Sequence, residues 1–318
     1  MLYPSIGMLL LSAHSLLSKS FRTPLPRSLL RLSSSLPYSP RTTISYFTDV
    51  EGDLNYLNRY VDLSSVISRP DPTDPSELTL LPNSHVVFGG DSVDRGGFDI
   101  MTLTLLARFK KKYPSNVHFI MGNRDCNKLR IRSELGAPTQ PTPPPHSGVY
   151  WLPPHTPPTS NVSRLQWLLK STMGCPDSFI FRKNELCILN ETDDITGEDV
   201  VESFRQTCSP GGLMANHIMA AVPSIKFGPV LFVHAGIPSP DGNKGRGTIK
   251  SPNDYSFNSY PPAFNPTSGF SDWLAKTSAF VEVQKQDWLN SSGKDDIWAE
   301  RGGYSDEPDA GGSLMQCE

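Results

Sequence analysis

The sequence lacks any long hydrophobic run. The longest apolar stretch near the N-terminus, Ile6 to Leu17, is interrupted by Ser12, His14 and Ser15. A membrane-spanning helix needs about 20 consecutive, mostly apolar residues. We therefore expect no transmembrane helix.

Cysteines are also few. The 318 residues include five, an odd number, and no two of them form a CxxC pair. This argues against a disulfide framework and against a thiolate zinc site. Reduced thiols in an intracellular compartment are the expected state. Apolar residues nevertheless make up 37% of the chain, which is enough for a folded core and excludes wholesale disorder.

Acidic residues are absent from the first 48 positions, whereas five basic residues occur there. The rest of the chain carries 24 basic and 32 acidic residues, a net charge of −8. A body this acidic is a poor partner for nucleic acid. Segment 1–43, rich in Ser, Leu and Arg, predicts an organellar presequence, mitochondrial rather than plastid. The alternative is a disordered tail without a targeting role, which would leave the protein in the cytoplasm.

Strand and helix patterns alternate along the folded part, which we predict to be one domain spanning 44–318. Strands are predicted at 44–47, 85–88, 117–120 and 230–233. Helices are predicted at 54–66, 98–112, 126–134, 161–173, 177–190, 197–208, 212–221 and 271–288. This order predicts an α/β fold in which neighbouring strands are parallel. A Pro-rich insertion at 138–158 cannot hold a helix or a central strand.

Each predicted strand runs into a residue of a type that binds metal ions, namely Asp49, Asp91, Asn123 and His234. The carboxyl ends of parallel strands line the ligand crevice of open α/β sheets. Oxygen and imidazole donors suit Mn²⁺, Fe or Zn²⁺, and an Asp between two strand ends can bridge two cations that act on a phosphoryl group. Any one of these residues alone is commonly a turn or helix-capping residue. The four together predict a shared site.

Sequence motifs at these strand ends resemble those of calcineurin-like metallophosphoesterases, especially the serine/threonine phosphatase branch. Residues 90–96, Gly-Asp-Ser-Val-Asp-Arg-Gly, resemble the GDxxDRG motif, and residues 122–125, Gly-Asn-Arg-Asp, resemble GNHE or GNHD. Residues 234–236, His-Ala-Gly, are similar to HGG, and Asp49 and Glu51 stand at the place of DxH. The resemblance implies layered β-sheets flanked by helices. It also implies hydrolysis of a phosphate ester, on a protein or a small molecule, by metal-bound hydroxide.

The resemblance further implies a dinuclear centre of two metal ions, which could be Mn, Mg, Fe or Zn. Asp91 would bridge both ions, Asp49 and Glu51 would hold the first, and Asn123 and His234 would hold the second.

Two catalytic roles are implied by the same motifs. Arg95 would bind the phosphate oxygens through its planar guanidinium. Asp94 orients a catalytic histidine in the family, and here it would pair with Arg124, with help from Asp125.

The sequence departs from the family pattern at two of these positions. Glu51 replaces a histidine ligand, which favours the harder ions Mg²⁺ and Mn²⁺. Arg124 replaces the histidine that is thought to protonate the leaving oxygen. Since an arginine pKa lies above about 12, we expect it to stabilise charge electrostatically instead.

A third departure concerns the C-terminal part of the chain. No histidine follows His234, and we expect His146, His155 and His217 to lie in loops or on a helix surface. The chain stops after Glu318 without a closing strand pattern, which leaves open whether the last strands of the sheet are present. Two alternatives therefore stand beside an active enzyme. One is a catalytically impaired phosphate- or partner-binding relative, and the other is a truncated, poorly folded product. The oligomeric state stays open.

Overall fold

A computed structural model describes residues 35–36, 42–135, 158, 160–234 and 270–290. The predicted Pro-rich insertion lies outside these residues except at its last position, and so does most of the predicted presequence. Within the described part, no helix is both long enough and apolar enough to cross a membrane.

The described strands form three sheets. Their bounds are β1 (Ser35–Leu36), β2 (Thr43–Phe47), β3 (Ile67–Ser68), β4 (Thr79–Leu80), β5 (Ser84–Phe88), β6 (Val117–Ile120), β7 (Ala221–Val222), β8 (Ser224–Phe227) and β9 (Val230–Val233). The main sheet is all-parallel, in the order β2-β5-β6-β7. A second sheet has the order β1-β8-β9, and β3 and β4 form a short antiparallel pair. The predicted parallel arrangement is therefore confirmed for the first three strands.

The helices of the described part follow the predicted pattern closely. They are α1 (Leu54–Leu63), α2 (Asp99–Lys112), α3 (Asn123–Leu129), α4 (Ile131–Leu135), α5 (Asn161–Ser171), α6 (Ser178–Asn190), α7 (Gly197–Cys208), α8 (Leu213–Ala220) and α9 (Phe270–Asn290). One prediction needs correction, because the helix expected at 126–134 is two short helices, the first of which begins at Asn123. Gly122 is extended and ends the strand segment, so the helix can begin immediately after it.

Alternate residues of the central strands pack on opposite faces of the main sheet, as pleated strands require. Val86 and Phe88 join a core that includes Leu57 of α1 and Phe109 of α2. Val87 joins a smaller cluster that includes residues of β8. One face of the main sheet is thus covered by helices and the other by the second sheet, which confirms the layered α/β fold. A further core lies among helices α2 to α9.

The fourth predicted strand lies in a different sheet from the other three. β9 pairs antiparallel with β8, which the sequence analysis did not predict. A two-residue turn joins them, and its first residue, Gly228, has a φ of 54°. A positive φ at this position suits the tight turns that connect antiparallel strands. The hairpin therefore carries His234 to the strand ends of the main sheet from a neighbouring layer.

Three residues of the predicted presequence take part in sheets, namely Ser35 and Leu36 in β1 and Thr43 at the start of β2. β1 runs parallel to β8, with Ser35 opposite Lys226 and Leu36 opposite Phe227. The presequence stays a prediction, and this pairing places part of it beside the second sheet.

Candidate metal centre

Three of the predicted ligands meet at the carboxyl ends of the strands. Asp49, Asp91 and His234 follow β2, β5 and β9, and each offers a ligand atom within 4.8 Å of the other two. Asp91 is 4% exposed, whereas Asp49 is exposed. The cluster therefore extends from the protein interior to the surface, where a substrate could reach it.

Unusual backbone geometry points the two carboxylates toward one another. Asp49 and Asp91 have φ values of 53° and 56°, in a region that residues other than glycine rarely adopt. Backbone hydrogen bonds hold the two loops together, from the Asp49 amide to the Gly90 carbonyl at 3.0 Å and from the Glu51 amide to the Asp91 carbonyl at 2.9 Å. Such strain persists only where the surrounding structure enforces it, and it is concentrated at functional sites.

Asp125 holds the Asp91 loop in place. Its carboxylate is fully buried and accepts hydrogen bonds from the amides of Asp91, at 3.0 Å, and Ser92, at 2.8 Å, and from the Ser92 hydroxyl at 2.5 Å. Gly122 is required beside it, because a Cβ at this position would collide with the backbone and the carboxylate of Asp91. Burial raises the pKa of the Asp91 carboxyl to about 7, and the Asp125 carboxylate adds to the rise.

The hydrogen bonds of His234 orient its ring for metal binding. Nδ1 lies 2.8 Å from the Gly89 carbonyl oxygen, which can only accept, so Nδ1 carries the proton. In the neutral ring Nε2 then presents a lone pair, and it faces the Asn123 Oδ1 at 3.1 Å and the Asp91 Oδ1 at 3.4 Å. Three electron-pair donors that face one another are stabilised by a cation between them. The residues present therefore fit a metal ion, with the Asn123 oxygen as a fourth ligand.

The predicted ligand Glu51 is not one of the three residues whose ligand atoms lie together. Its Oε1 accepts a short ion-pair contact from Arg124 Nε at 2.7 Å, and Arg95 Nη1 lies 3.4 Å from the same oxygen. Arg124 Nε is also 3.5 Å from Asp91 Oδ2. Burial lowers the pKa of Arg124, but Glu51, Asp94 and Asp91 outweigh it, so the pKa is raised. Glu51 thus pairs with two arginines instead of joining the three ligands.

Comparison with known proteins gives this architecture a family. The sequence model of the calcineurin-like phosphoesterase family matches residues 43–310, which are most of the chain. The chain belongs to the calcineurin-like phosphoesterase family.

The chain spans less than half the length of each of three similar proteins. The serine/threonine-protein phosphatase PP2A-like PPG1 of Saccharomyces cerevisiae is 37% identical over 49 residues, which are 15% of this chain and 13% of that relative. A cold-active protein-tyrosine phosphatase of a psychrophile, Shewanella sp., is a similar solved structure, with 15% identity, a TM-score of 0.34, and coverage of 68% of this chain and 48% of that one. A protein serine/threonine phosphatase from Saccharomyces cerevisiae, with similarity to human phosphatase PP5, has 20% identity and a TM-score of 0.22, and the match covers 39% of this chain and 33% of that one.

Asp94 lies in a buried network behind the ligand cluster. Its Oδ2 is 3.7 Å from Arg124 Nη1, as the sequence analysis expects, but a closer partner at 2.7 Å is the ammonium of Lys128. The Ser178 hydroxyl donates to the Asp94 carbonyl at 2.8 Å. Lys128 is 1% exposed, and although burial lowers its pKa, the Asp94 carboxylate outweighs this and raises it.

Lys128 was not predicted from the sequence, although its position gave a signal. It lies four residues after Arg124 on the same helix, so both side chains project from one face toward Asp94. A second group that was missed lies one layer deeper. Asp99 accepts from the Asp94 amide at 3.0 Å and pairs with Arg182 of α6 at 3.5 Å. These contacts tie the loop that follows Asp91 to the helical part of the molecule.

Arg95 stands apart from these buried groups. Its side chain is 59% exposed and its guanidinium lies beside Glu51 at the mouth of the cluster. This position suits a group that would bind the phosphate oxygens of a substrate.

His217 does not lie on a helix surface as predicted. It is buried, its ring stacks on Phe119 with 4.6 Å between centroids, and its Nε2 is 3.9 Å from Asp125 Oδ2. Burial lowers its pKa, against the opposing effect of Asp125. Helix α8 is apolar on most of its circumference, and its buried face carries His217 together with Met214, Ala215 and Ile218.

Proposed function

We propose that this protein is a metal-dependent hydrolase of phosphate esters. The observation that carries the proposal is the convergence of Asp49, Asp91 and His234 at one edge of a calcineurin-like fold. Asn123 would complete the ligand set. This set of ligands suits Mn²⁺, Mg²⁺, Fe or Zn²⁺. The number of ions that the set holds is tested separately from the activity.

The chain's own residues would bind and orient the substrate phosphate. A bound metal ion would act as a Lewis acid and activate a water molecule. Arg95, at the mouth of the cluster, would bind two phosphate oxygens in the bidentate geometry of a guanidinium. Arg124 would add a fixed positive charge next to Asp91, stabilising negative charge that develops in the transition state. A phosphorylated protein and a small phosphate ester would present the same ester group to these residues.

The proposal is tested by assaying the purified protein with p-nitrophenyl phosphate and added Mn²⁺. We expect Asp91→Asn to lower activity by roughly 100-fold or more. Mutating a residue that only hydrogen-bonds to a metal ligand already lowers metal affinity or activity by about 10- to 100-fold. Asp53→Asn is the matched control. Asp53 caps helix α1 by accepting from the Asn55 and Tyr56 amides, and Asn is an equally good cap. Equal activity of the wild type and Asp91→Asn would remove the enzyme proposal.

A second candidate function is phosphate binding without turnover. The ion pair between Glu51 and Arg124 favours it, because Arg124 cannot supply a proton to a leaving oxygen. Calorimetry with inorganic phosphate and Mn²⁺ separates the two candidates. Phosphate binding that is lost in Arg95→Met, together with no hydrolysis by the wild type, would favour the binding protein.

We also propose that segment 1–43 directs the protein to an organelle, mitochondria rather than plastids. A fluorescent reporter fused to this segment should accumulate in mitochondria, whereas a reporter spread through the cytoplasm would contradict the proposal.

A further inference from the structure

We infer that this centre holds one metal ion, and that the Arg124 guanidinium takes the place of a second ion beside Asp91. The inference rests on the proposed function only in taking the cluster to be a metal site. It concerns how many ions the residues can hold, which is measured without any assay of activity.

The described residues offer a single ligand set. Asp49, Asp91 and His234 form one group whose ligand atoms lie within 4.8 Å of one another, and no second group of this kind occurs in the described ranges. Two carboxylates and a neutral imidazole carry a charge of −2, which one divalent cation balances. Asn123 adds an oxygen without adding charge.

The other carboxylates near the cluster already have partners. Glu51 is bound by Arg124 and Arg95. Asp94 is bound by Lys128 at 2.7 Å and by Ser178. A second ion would have to displace one of these cations from a buried or half-buried position.

Asp125 is equally committed, because its two oxygens accept three hydrogen bonds from Asp91 and Ser92. Moving it would release the loop that positions Asp91. Asp125 therefore cannot join a second coordination shell without disturbing the first, and the paired carboxylates cannot join one without losing their cationic partners.

The Arg124 guanidinium lies beside one Asp91 carboxylate oxygen and the His234 ring beside the other. Asp91 Oδ1 lies 3.4 Å from His234 Nε2, whereas Asp91 Oδ2 lies 3.5 Å from Arg124 Nε. The carboxylate therefore has one oxygen in the ligand set and the other next to the guanidinium. Asp91 still bridges two cations, but one of them is covalently part of the chain. A second metal ion near Oδ2 would meet strong repulsion from this permanent positive charge.

Metal stoichiometry tests the inference directly. The wild-type protein is dialysed against Mn²⁺, its content is measured by elemental analysis, and its electron paramagnetic resonance spectrum is recorded. We expect one Mn²⁺ per chain and the spectrum of isolated ions. Two tightly bound Mn²⁺ with a spin-coupled spectrum would overturn the inference, and so would a chain that binds no Mn²⁺.

A pair of matched variants tests the role of Arg124. Arg124→Met removes the cation that contacts both Glu51 and Asp91, and we expect it to bind a second Mn²⁺ per chain. Arg95→Met makes the same chemical change at an arginine that contacts Glu51 but is not paired with Asp91. We expect this variant still to bind one Mn²⁺ per chain. An Arg124→Met protein that folds, as judged by circular dichroism, and still binds one Mn²⁺ would overturn the assignment of Arg124 to the second place.

Activity measured on the same samples keeps the two proposals apart. A wild-type protein that hydrolyses phosphate esters with two Mn²⁺ bound contradicts the single-ion inference alone. One that binds a single Mn²⁺ but hydrolyses nothing contradicts the proposed function alone.

Discussion

Buried charges at the centre are balanced in short chains of alternating sign. Asp94 lies between Arg124 and Lys128, with a strained φ of 111° and almost no exposure to solvent. Burying a charge without a partner is expensive, while a buried pair can roughly offset its own desolvation. Losing one partner of such a pair therefore destabilises this region more than losing both partners together.

Removing either partner of the Asp94–Lys128 pair should reveal this dependence. We expect Asp94→Asn to destabilise the fold by about 3–5 kcal/mol, because it leaves the Lys128 ammonium buried without its carboxylate. Lys128→Met should cost less, since Asp94 keeps Arg124 and Ser178 as neighbours. The double variant should be more stable than the sum of the single changes predicts, by about 0.5–3 kcal/mol. Chemical denaturation of the four proteins measures the coupling, and strict additivity would contradict it.

At the scale of helices and strands, the local pattern predicted the helices, four of the nine described strands and all four strand ends that carry Asp49, Asp91, Asn123 and His234, but it missed β1, β3, β4, β7 and β8. Periodicity and strand-end chemistry are local properties, so a single sequence reveals them. The assignment of β9 to the second sheet was not predictable in this way, because sheet membership depends on pairing with β8. The ion pair of Glu51 with Arg124 was missed for the same reason, since it joins residues 73 positions apart whose proximity only the fold determines.

Helix α9 is attached to the rest of the molecule by a buried lysine. Lys285 donates to the carbonyls of Ala221, at 2.5 Å, and Met219, at 3.2 Å. Burial lowers the pKa of Lys285 to about 8, against the opposing effect of Glu282. In the unfolded chain the ordinary value is 10.5, so between these two values the unfolded state binds more protons than the folded state. The contribution of Lys285 to the free energy of unfolding must therefore increase as the pH rises from about 8 toward 10.5.

A pair of substitutions on α9 isolates this effect. The free energy of unfolding of the wild type, minus that of Lys285→Met, should increase between about pH 7 and about pH 9.5. Lys276→Met is the control, because Lys276 lies on the same helix, is 56% exposed and pairs with Asp272 at the surface. Urea denaturation at several pH values provides the measurement. A difference that is flat with pH for Lys285→Met, or equal for both variants, would contradict the assignment.

At the scale of the whole molecule, the centre connects two sheets that otherwise pack through apolar side chains. Asp49 and Asp91 follow strands of the main sheet, whereas His234 follows β9 of the second sheet. A metal ion that binds all three would link segments that are 185 positions apart at their extremes. Because the unfolded chain cannot present this ligand set, metal binding must stabilise the folded state.

Hydrogen exchange with and without Mn²⁺ should show where this stabilisation acts. At a free Mn²⁺ concentration of about 100 times its dissociation constant, linkage gives roughly 2.7 kcal/mol of stabilisation. Amides of β9 that exchange by local opening should become more protected, because detaching the strand would now require His234 to leave the ion. Local exchange in helix α7 should not change, since none of the ligands lies on it. In His234→Ala the response of β9 should disappear. If β9 and α7 gained equal protection in the wild type, the ion would be stabilising the chain as a whole without joining the two sheets, and the centre would not be organised around His234.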